Sequence, residues 1–266
     1  MFLGVVTKIW RLLELMITKD IFKKKVFIPY FTFGDPSIET TVTLIKASFD
    51  SGADIVELGI PFSDPIADGP VIQASHQRAL TANPNVNLIE ALRVVSQVRM
   101  THSQPIVFMS AVNLVFHYGI DRFFQDAHRH GLDGVIIPDL PIEEAYEFAR
   151  AAKGNKVSLI FLVSPLCSDK RMRKIVMAST GFVYLIASTG TTGARDSVSE
   201  SLVGLVKKIK AIKDIPVVVG FGISSKSHIH TVWSFADGVI VGSYLVKMIE
   251  KKEDPIQGIR ELLLPS

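Results

Sequence analysis

The sequence predicts an α/β fold: a (β/α)8 TIM barrel in a single domain, with an extra helix at the N-terminus. Three observations predict it. Short β-branched or aromatic runs alternate with longer segments of helical period, eight of each in strict order. The chain is 266 residues long and 48% hydrophobic, enough for one sizeable barrel core. The first strand-to-helix turn reads TFGDP and lacks G-x-G-x-x-G, which disfavours the competing open doubly wound sheet.

The strand-like runs fall at 26–32, 54–60, 105–111, 134–138, 157–163, 182–187, 215–220 and 238–241. Helical periodicity fills 38–51, 88–100, 122–130, 142–153, 169–179, 201–212, 226–234 and 243–264. Strand-then-helix alternation implies parallel strands joined by right-handed crossovers. Residues 1–19 read as an amphipathic helical extension and 20–266 as the barrel. Lys8, Arg11 and Glu14 interrupt the apolar N-terminus, so it makes a poor membrane span or targeting signal and a better helix packed on the barrel.

Composition removes several function classes. Lys+Arg 29 against Asp+Glu 26 leaves a dispersed charge of +3, too mild for a nucleic-acid binder. The run Lys23-Lys24-Lys25 is short and reads as a solvated helix end. Cys167 is the single cysteine, which rules out an internal disulfide framework and suits a reducing cytoplasm. Without a histidine placed as its base, it is a weak nucleophile candidate. No zinc-type spacing occurs; the pairs His128/His130 and His228/His230 are two apart and do not share a helix face.

In a barrel, the loops after the strands form the active face. Two are long: 61–87, which holds some helix, and 188–200, whose Gly, Ser and Thr content reads as a mobile lid. Glu57 sits inside the buried-strand sequence DIVELGI, on one face with Ile55 and Gly59. Burial should raise the pKa of its carboxyl into the range of a proton donor and acceptor. A structural ion pair competes with that reading. Asp68 lies eleven residues on, in a loop stiffened by Pro61, Pro65 and Pro70 that can hold a carboxylate over the barrel mouth. Asp64 and Asp68 can also serve as turn-formers. Gly220 and Gly222 after strand seven, with Gly242 and Ser243 after strand eight, make a candidate phosphate cradle that Thr192 and Gly193 can close.

These residues carry a resemblance. VELGIPFSDPIADGPVIQ (56–73) closely resembles the signature of the tryptophan synthase α subunit family. The likeness extends through IPYFTFGDP (28–36), NLVFHYGI (113–120), IPDLPIEE (137–144), TGTTGAR (189–195) and GFGIS (220–224), from about Asp20 to the C-terminus. The resemblance implies a lyase that cleaves indole-3-glycerol phosphate to indole and glyceraldehyde 3-phosphate. It implies that Glu57 protonates indole C3 and helps deprotonate the glycerol hydroxyl, while Asp68 stabilises positive charge at the indole N–H. Tyr30, Leu162, Tyr184 and Phe221 match apolar pocket positions. Gly193, Gly222, Gly242 and Ser243 match the phosphate-binding backbone. No cofactor or metal is implied in this chain; pyridoxal phosphate is expected in a β subunit, joined in an α2β2 complex to which indole passes through a tunnel. The 61–68 loop and the lid are implied to communicate with that partner.

One departure stands out. Ala111 occupies a place where the family usually carries an aromatic, leaving the pocket larger on one side, and Tyr30 stands where phenylalanine is common. Two other readings remain. A barrel kept chiefly as a ligand-sensing activator would accord with Ala111. A different phosphate-binding barrel, such as an isomerase, would share the glycines after strands seven and eight but not the strand-two segment.

Overall fold

The computed structural model describes residues 17–187, 195–220 and 222–264. Residues 1–16 of the helical extension predicted over 1–19 therefore lie outside the described residues. The strands are β1 (Val26–Thr32), β2 (Val56–Gly59), β3 (Ile106–Met109), β4 (Gly134–Ile136), β5 in two pieces (Ser158–Ile160 and Leu162–Val163), β6 (Val183–Ile186), β7 (Val217–Gly220) and β8 (Gly238–Val241). Pairing is parallel throughout and runs from the first piece of β5 through β4, β3, β2, β1, β8, β7 and β6 to the second piece of β5. It begins and ends on the same stretch of chain, so the nine strand segments form the eight staves of a barrel.

Side-chain alternation fills both faces. Ile28, Tyr30, Ile55, Val107, Ile136, Ile160, Tyr184, Val218 and Ile240 point inward and form one buried cluster. The intervening Phe27, Phe31, Leu58, Phe108, Val135, Leu185 and Val219 point outward into a second cluster shared with the helices. Both faces are covered, so the strands read as nearly continuous apolar runs. Ile17 plugs the lower end: its N–H donates to Ser158 Oγ at 3.1 Å, and it packs against Gly134 and Gly181.

The helices depart from expectation in instructive places. The segment 243–264 is two helices, Ser243–Glu250 and Pro255–Leu263. Asp254 caps the second through Ile256 N–H at 2.9 Å, and Pro255 occupies its first turn. A further helix, Val112–Tyr118, precedes Ile120–His130 and is separated from it by Gly119 at φ +92°. The helix predicted to begin at 201 spans Arg195–Ile212, which shortens the predicted lid from its C-terminal side. Its apolar spacing runs back through Leu202 to Val198, and polar neighbours hide it. Within the 61–87 connection lies Pro70–Ala82, with proline at its first position. Arg78 anchors this helix by a bidentate pair to buried Asp35, at 2.7 and 3.1 Å, fixing it against the loop after β1.

Candidate active site

The site begins with a carboxyl that has no partner. Glu57 lies mid-barrel on β2, in register with Tyr30 on β1 and Val107 on β3. Its side chain is buried, and neither carboxylate oxygen has a hydrogen-bond partner among the described residues. A charge there costs free energy with nothing to offset it. Burial, and secondarily the charge of Asp68, pushes the Glu57 pKa up to about 8. The competing structural ion pair is not formed.

Asp68 sits at the end of the loop after β2. That loop is braced by its own backbone, with Asp68 N–H donating to Pro65 O at 3.0 Å, and by Gln73 Nε2 donating to Asp68 O at 2.8 Å. The carboxyl is mostly covered, and burial followed by the charge of Asp139 raises its pKa to about 6. Asp64 is exposed and turns the loop through its carbonyl, which accepts Ile66 N–H at 3.0 Å. Two neighbouring carboxyls thus titrate at different pH, so that at neutrality one holds its proton while the other has lost it.

Two residues that sequence reasoning missed belong here. Asp139 follows β4, its Oδ1 accepting Val112 N–H at 2.8 Å, and it faces Asp68 across the mouth. His76 lies on the buried stripe Ile72, Ser75, His76 and Ala79 of the helix Pro70–Ala82. The signal was present: at positions i, i+3, i+4 and i+7, where an apolar face is expected, two are polar.

The two pocket tyrosines stand over glycines. An added Cβ at Gly59 would lie 2.6 Å from Tyr30 Cζ and nearer still to its hydroxyl; one at Gly220 would lie 2.5 Å from Tyr184 Cζ. Each glycine exists to admit a ring, and Tyr30 and Tyr184 are both buried. Gly59→Ala is therefore expected to destabilise the protein by about 1–3 kcal/mol, the usual range for overpacking. Adding Tyr30→Leu should recover more than half of that loss in urea unfolding. Additivity of the two substitutions would contradict the steric account.

Tyr30, Gly59, Asp68, His76 and Ala111 line one cavity. Asp68, Met109, Asp139, Leu162 and Ile186 line a second of about 650 Å³, so Asp68 stands between the two. Leu162 is half-buried and paired with Tyr184. Across the barrel, Gly220 ends β7, and Gly222 adopts φ +73°. Gly242 precedes the helix that begins at Ser243, whose first N–H groups have no side-chain cap. Uncapped N–H groups at a helix start are suited to an anion. Thr192, Gly193 and Phe221 lie outside the described residues. Among the described residues, no group of three His, Cys, Asp or Glu side chains is placed to hold a metal ion.

Known proteins resemble this chain over most of its length. The family model described as tryptophan synthase alpha chain matches residues 18–264. The tryptophan synthase alpha chain of Geotalea daltonii is 45% identical over 229 residues, covering 86% of each chain. That of Arabidopsis thaliana is 41% identical over 241 residues, covering 90% of this chain and 86% of its own. Among solved structures, tryptophan synthase subunit alpha from Legionella pneumophila superposes with a TM-score of 0.82 at 37% identity, covering 95% of both chains. A chain of the tryptophan synthase α2β2 complex from Pyrococcus furiosus gives 0.82 at 40% identity, covering 90% of this chain and 97% of that one. Matched over nearly its whole length by the family model and by relatives more than 40% identical, this barrel belongs to the tryptophan synthase alpha chain family.

Proposed function

We propose that this chain cleaves indole-3-glycerol phosphate by a retro-aldol reaction in which Glu57 and Asp68 divide the work. The observation that carries the proposal is the unpartnered Glu57 carboxyl, which keeps its proton at neutral pH while Asp68 is ionised. Glu57 gives its proton to indole C3. Asp68 offsets the positive charge that then develops at the indole N–H. The carboxylate left on Glu57 takes the proton of the glycerol C–OH. The bond from C3 to that carbon breaks, its electrons return to the ring, and the C–OH becomes the aldehyde of glyceraldehyde 3-phosphate. Glu57 ends protonated, ready for the next cycle. Tyr30, Leu162, Tyr184 and Phe221 pack the indole. Gly193, Gly220, Gly222, Gly242 and Ser243, with Thr192, hold the phosphate. Steady-state indole release from indole-3-glycerol phosphate tests the reading; its absence with and without a β subunit would overturn it.

These steps draw on no metal and no cofactor of this chain, so treatment with a chelator leaves them intact. Pyridoxal phosphate belongs to a β subunit, the partner in an α2β2 complex. Support for that partner comes from four exposed apolar side chains after four successive strands: Ile66 after β2, Phe116 after β3, Tyr146 after β4 and Leu166 after β5. They share the face of the barrel that carries Asp68. Leu166→Asp together with Phe116→Asp should weaken binding of a β subunit at least about 10-fold in titration calorimetry, as for truncated interface anchors. Indole release without the partner should stay within about 2-fold, since surface substitutions usually change stability by only about 0.5 kcal/mol. Unchanged affinity would place the interface elsewhere. No helix of the described residues is long and apolar enough to cross a membrane. The single thiol, Cys167, supports a cytoplasmic setting. The chain divides into an extension over 1–19 and a barrel over 20–266.

A further inference from the structure

His76 is buried and is not used in the steps above, yet it faces two elements of the site, the loop after β2 and strand β1. Its Nδ1 accepts the Phe62 backbone N–H at 3.2 Å, at the start of the loop that ends in Asp68. A neutral ring that accepts at Nδ1 carries its proton on Nε2. That Nε2 is in hydrogen-bond reach of Tyr30 Oη at 3.4 Å and stands 3.8 Å from Asp68 Oδ2, beyond a hydrogen bond. The ring's placement is fixed from behind. The next residue along the helix stripe, Ser75, bonds Thr32 Oγ1 on β1, and Arg78 pairs with Asp35.

We propose that His76 is a positioning residue: its Nδ1 locks the loop that carries Asp68, and its Nε2–H dipole, 3.8 Å from Asp68 Oδ2, steadies the ionised carboxylate toward the indole N–H of the substrate. The inference rests on the role given to Asp68 above. The chemistry favours a neutral donor at this point. A cation there would tie Asp68 into an ion pair and spend the charge needed by the substrate, whereas a neutral N–H orients the carboxylate and leaves its charge available. Burial lowers the His76 pKa to about 4, which keeps the ring neutral across the working range. The other groups facing Asp68 act against its ionisation: Asp139 after β4 bears a like charge, and Glu57 on β2 would add another once ionised. His76 faces it from the helix Pro70–Ala82, with Nε2 3.8 Å from Oδ2.

His76→Phe keeps a ring of similar size and loses both nitrogens. His76→Gln returns an N–H donor near the place of Nε2. In His76→Phe, kcat for indole release should fall about 10-fold or more with KM changed less than about 3-fold, since the lost contact acts on charge that develops in the transition state. Carbon-13 NMR of the Asp68 carboxyl should show its titration moving to higher pH, as expected on losing a nearby N–H dipole that favours the ionised form. His76→Gln should restore most of both. If His76→Phe folds and leaves the Asp68 titration and kcat unchanged, or if His76→Gln is no better than Phe, the role is packing and the proposal fails. Should the Phe variant not fold, nitrogen-15 NMR of the wild type decides: a proton found on Nδ1 overturns the arrangement, and one on Nε2 supports it. A wild type that releases no indole, but whose Asp68 titration still moves in His76→Phe, would overturn the substrate reading and leave this contact standing.

Discussion

Glu57→Gln is expected to remove at least about 100-fold of indole release, the ordinary contribution of a positioned acid or base, while making the protein more stable. Glutamine keeps the shape of the neutral acid but cannot give up or regain a proton. The stability effect follows from burial. The folded state holds the Glu57 proton up to about pH 8, whereas an unfolded chain releases it near 4.5. Between those values the folded state binds more protons, so the wild type loses stability as pH rises through this window and levels off above it. At one pKa unit per about 1.4 kcal/mol, the penalty at neutral pH is about 3 kcal/mol. Urea unfolding of wild type and Glu57→Gln should therefore agree near pH 4.5 and diverge steadily toward pH 8, the variant being the more stable. A gap independent of pH would show that Glu57 is not a buried neutral acid. Activity lost with β-subunit activation intact would confirm the chain as a catalyst that also signals to its partner. Activity retained would favour the ligand-sensing reading suggested by Ala111.

Asp68→Asn is expected to cost about 100- to 1,000-fold in kcat, the range for removing one preorganised group from a developing charge. It has a second signature. For the wild type, kcat/KM should rise as Asp68 ionises near pH 6 and fall as Glu57 ionises near pH 8, a bell about two units wide. The charge of Asp68 is the second cause of the high Glu57 pKa. Removing it should move the alkaline limb to lower pH while the acid limb disappears. Limbs that stay in place would separate the two carboxyls and remove the basis for dividing the work between them.

Much of this site was legible before any coordinates, and the reasons differ by residue. Glu57 announced itself because a carboxylate in a buried strand is costly, and its two neighbours on the same face, Ile55 and Gly59, set the direction in which it points. The eight staves followed from apolar runs that both faces of a parallel sheet require; β1 and β8 fall at the residues the pattern marked. Separate roles for Glu57 and Asp68 came from the resemblance, because spacing alone favoured a turn at Asp64 and left Asp68 evenly balanced between turn and site. His76 and Asp139 were hidden for a different reason. Each acts through a contact distant in sequence, His76 with Tyr30 46 residues away and Asp139 with Val112 27 residues away; the polar residues on the buried helix face mark His76 as unusual but do not name its partner. The second helix of the C-terminal segment was readable from Asp254-Pro255 and was obscured by an apolar period that runs across the break.

The tyrosines resting on glycines bear on how such a barrel can be diversified. Positions 30 and 59 share one volume, and so do 184 and 220. A library that varies these sites one at a time would score Gly59 and Gly220 as intolerant, although what is constrained is the sum within each pair. Randomising each pair together opens combinations in which bulk moves from strand to neighbouring strand. Such exchanges would reshape the wall around the indole without touching either acid.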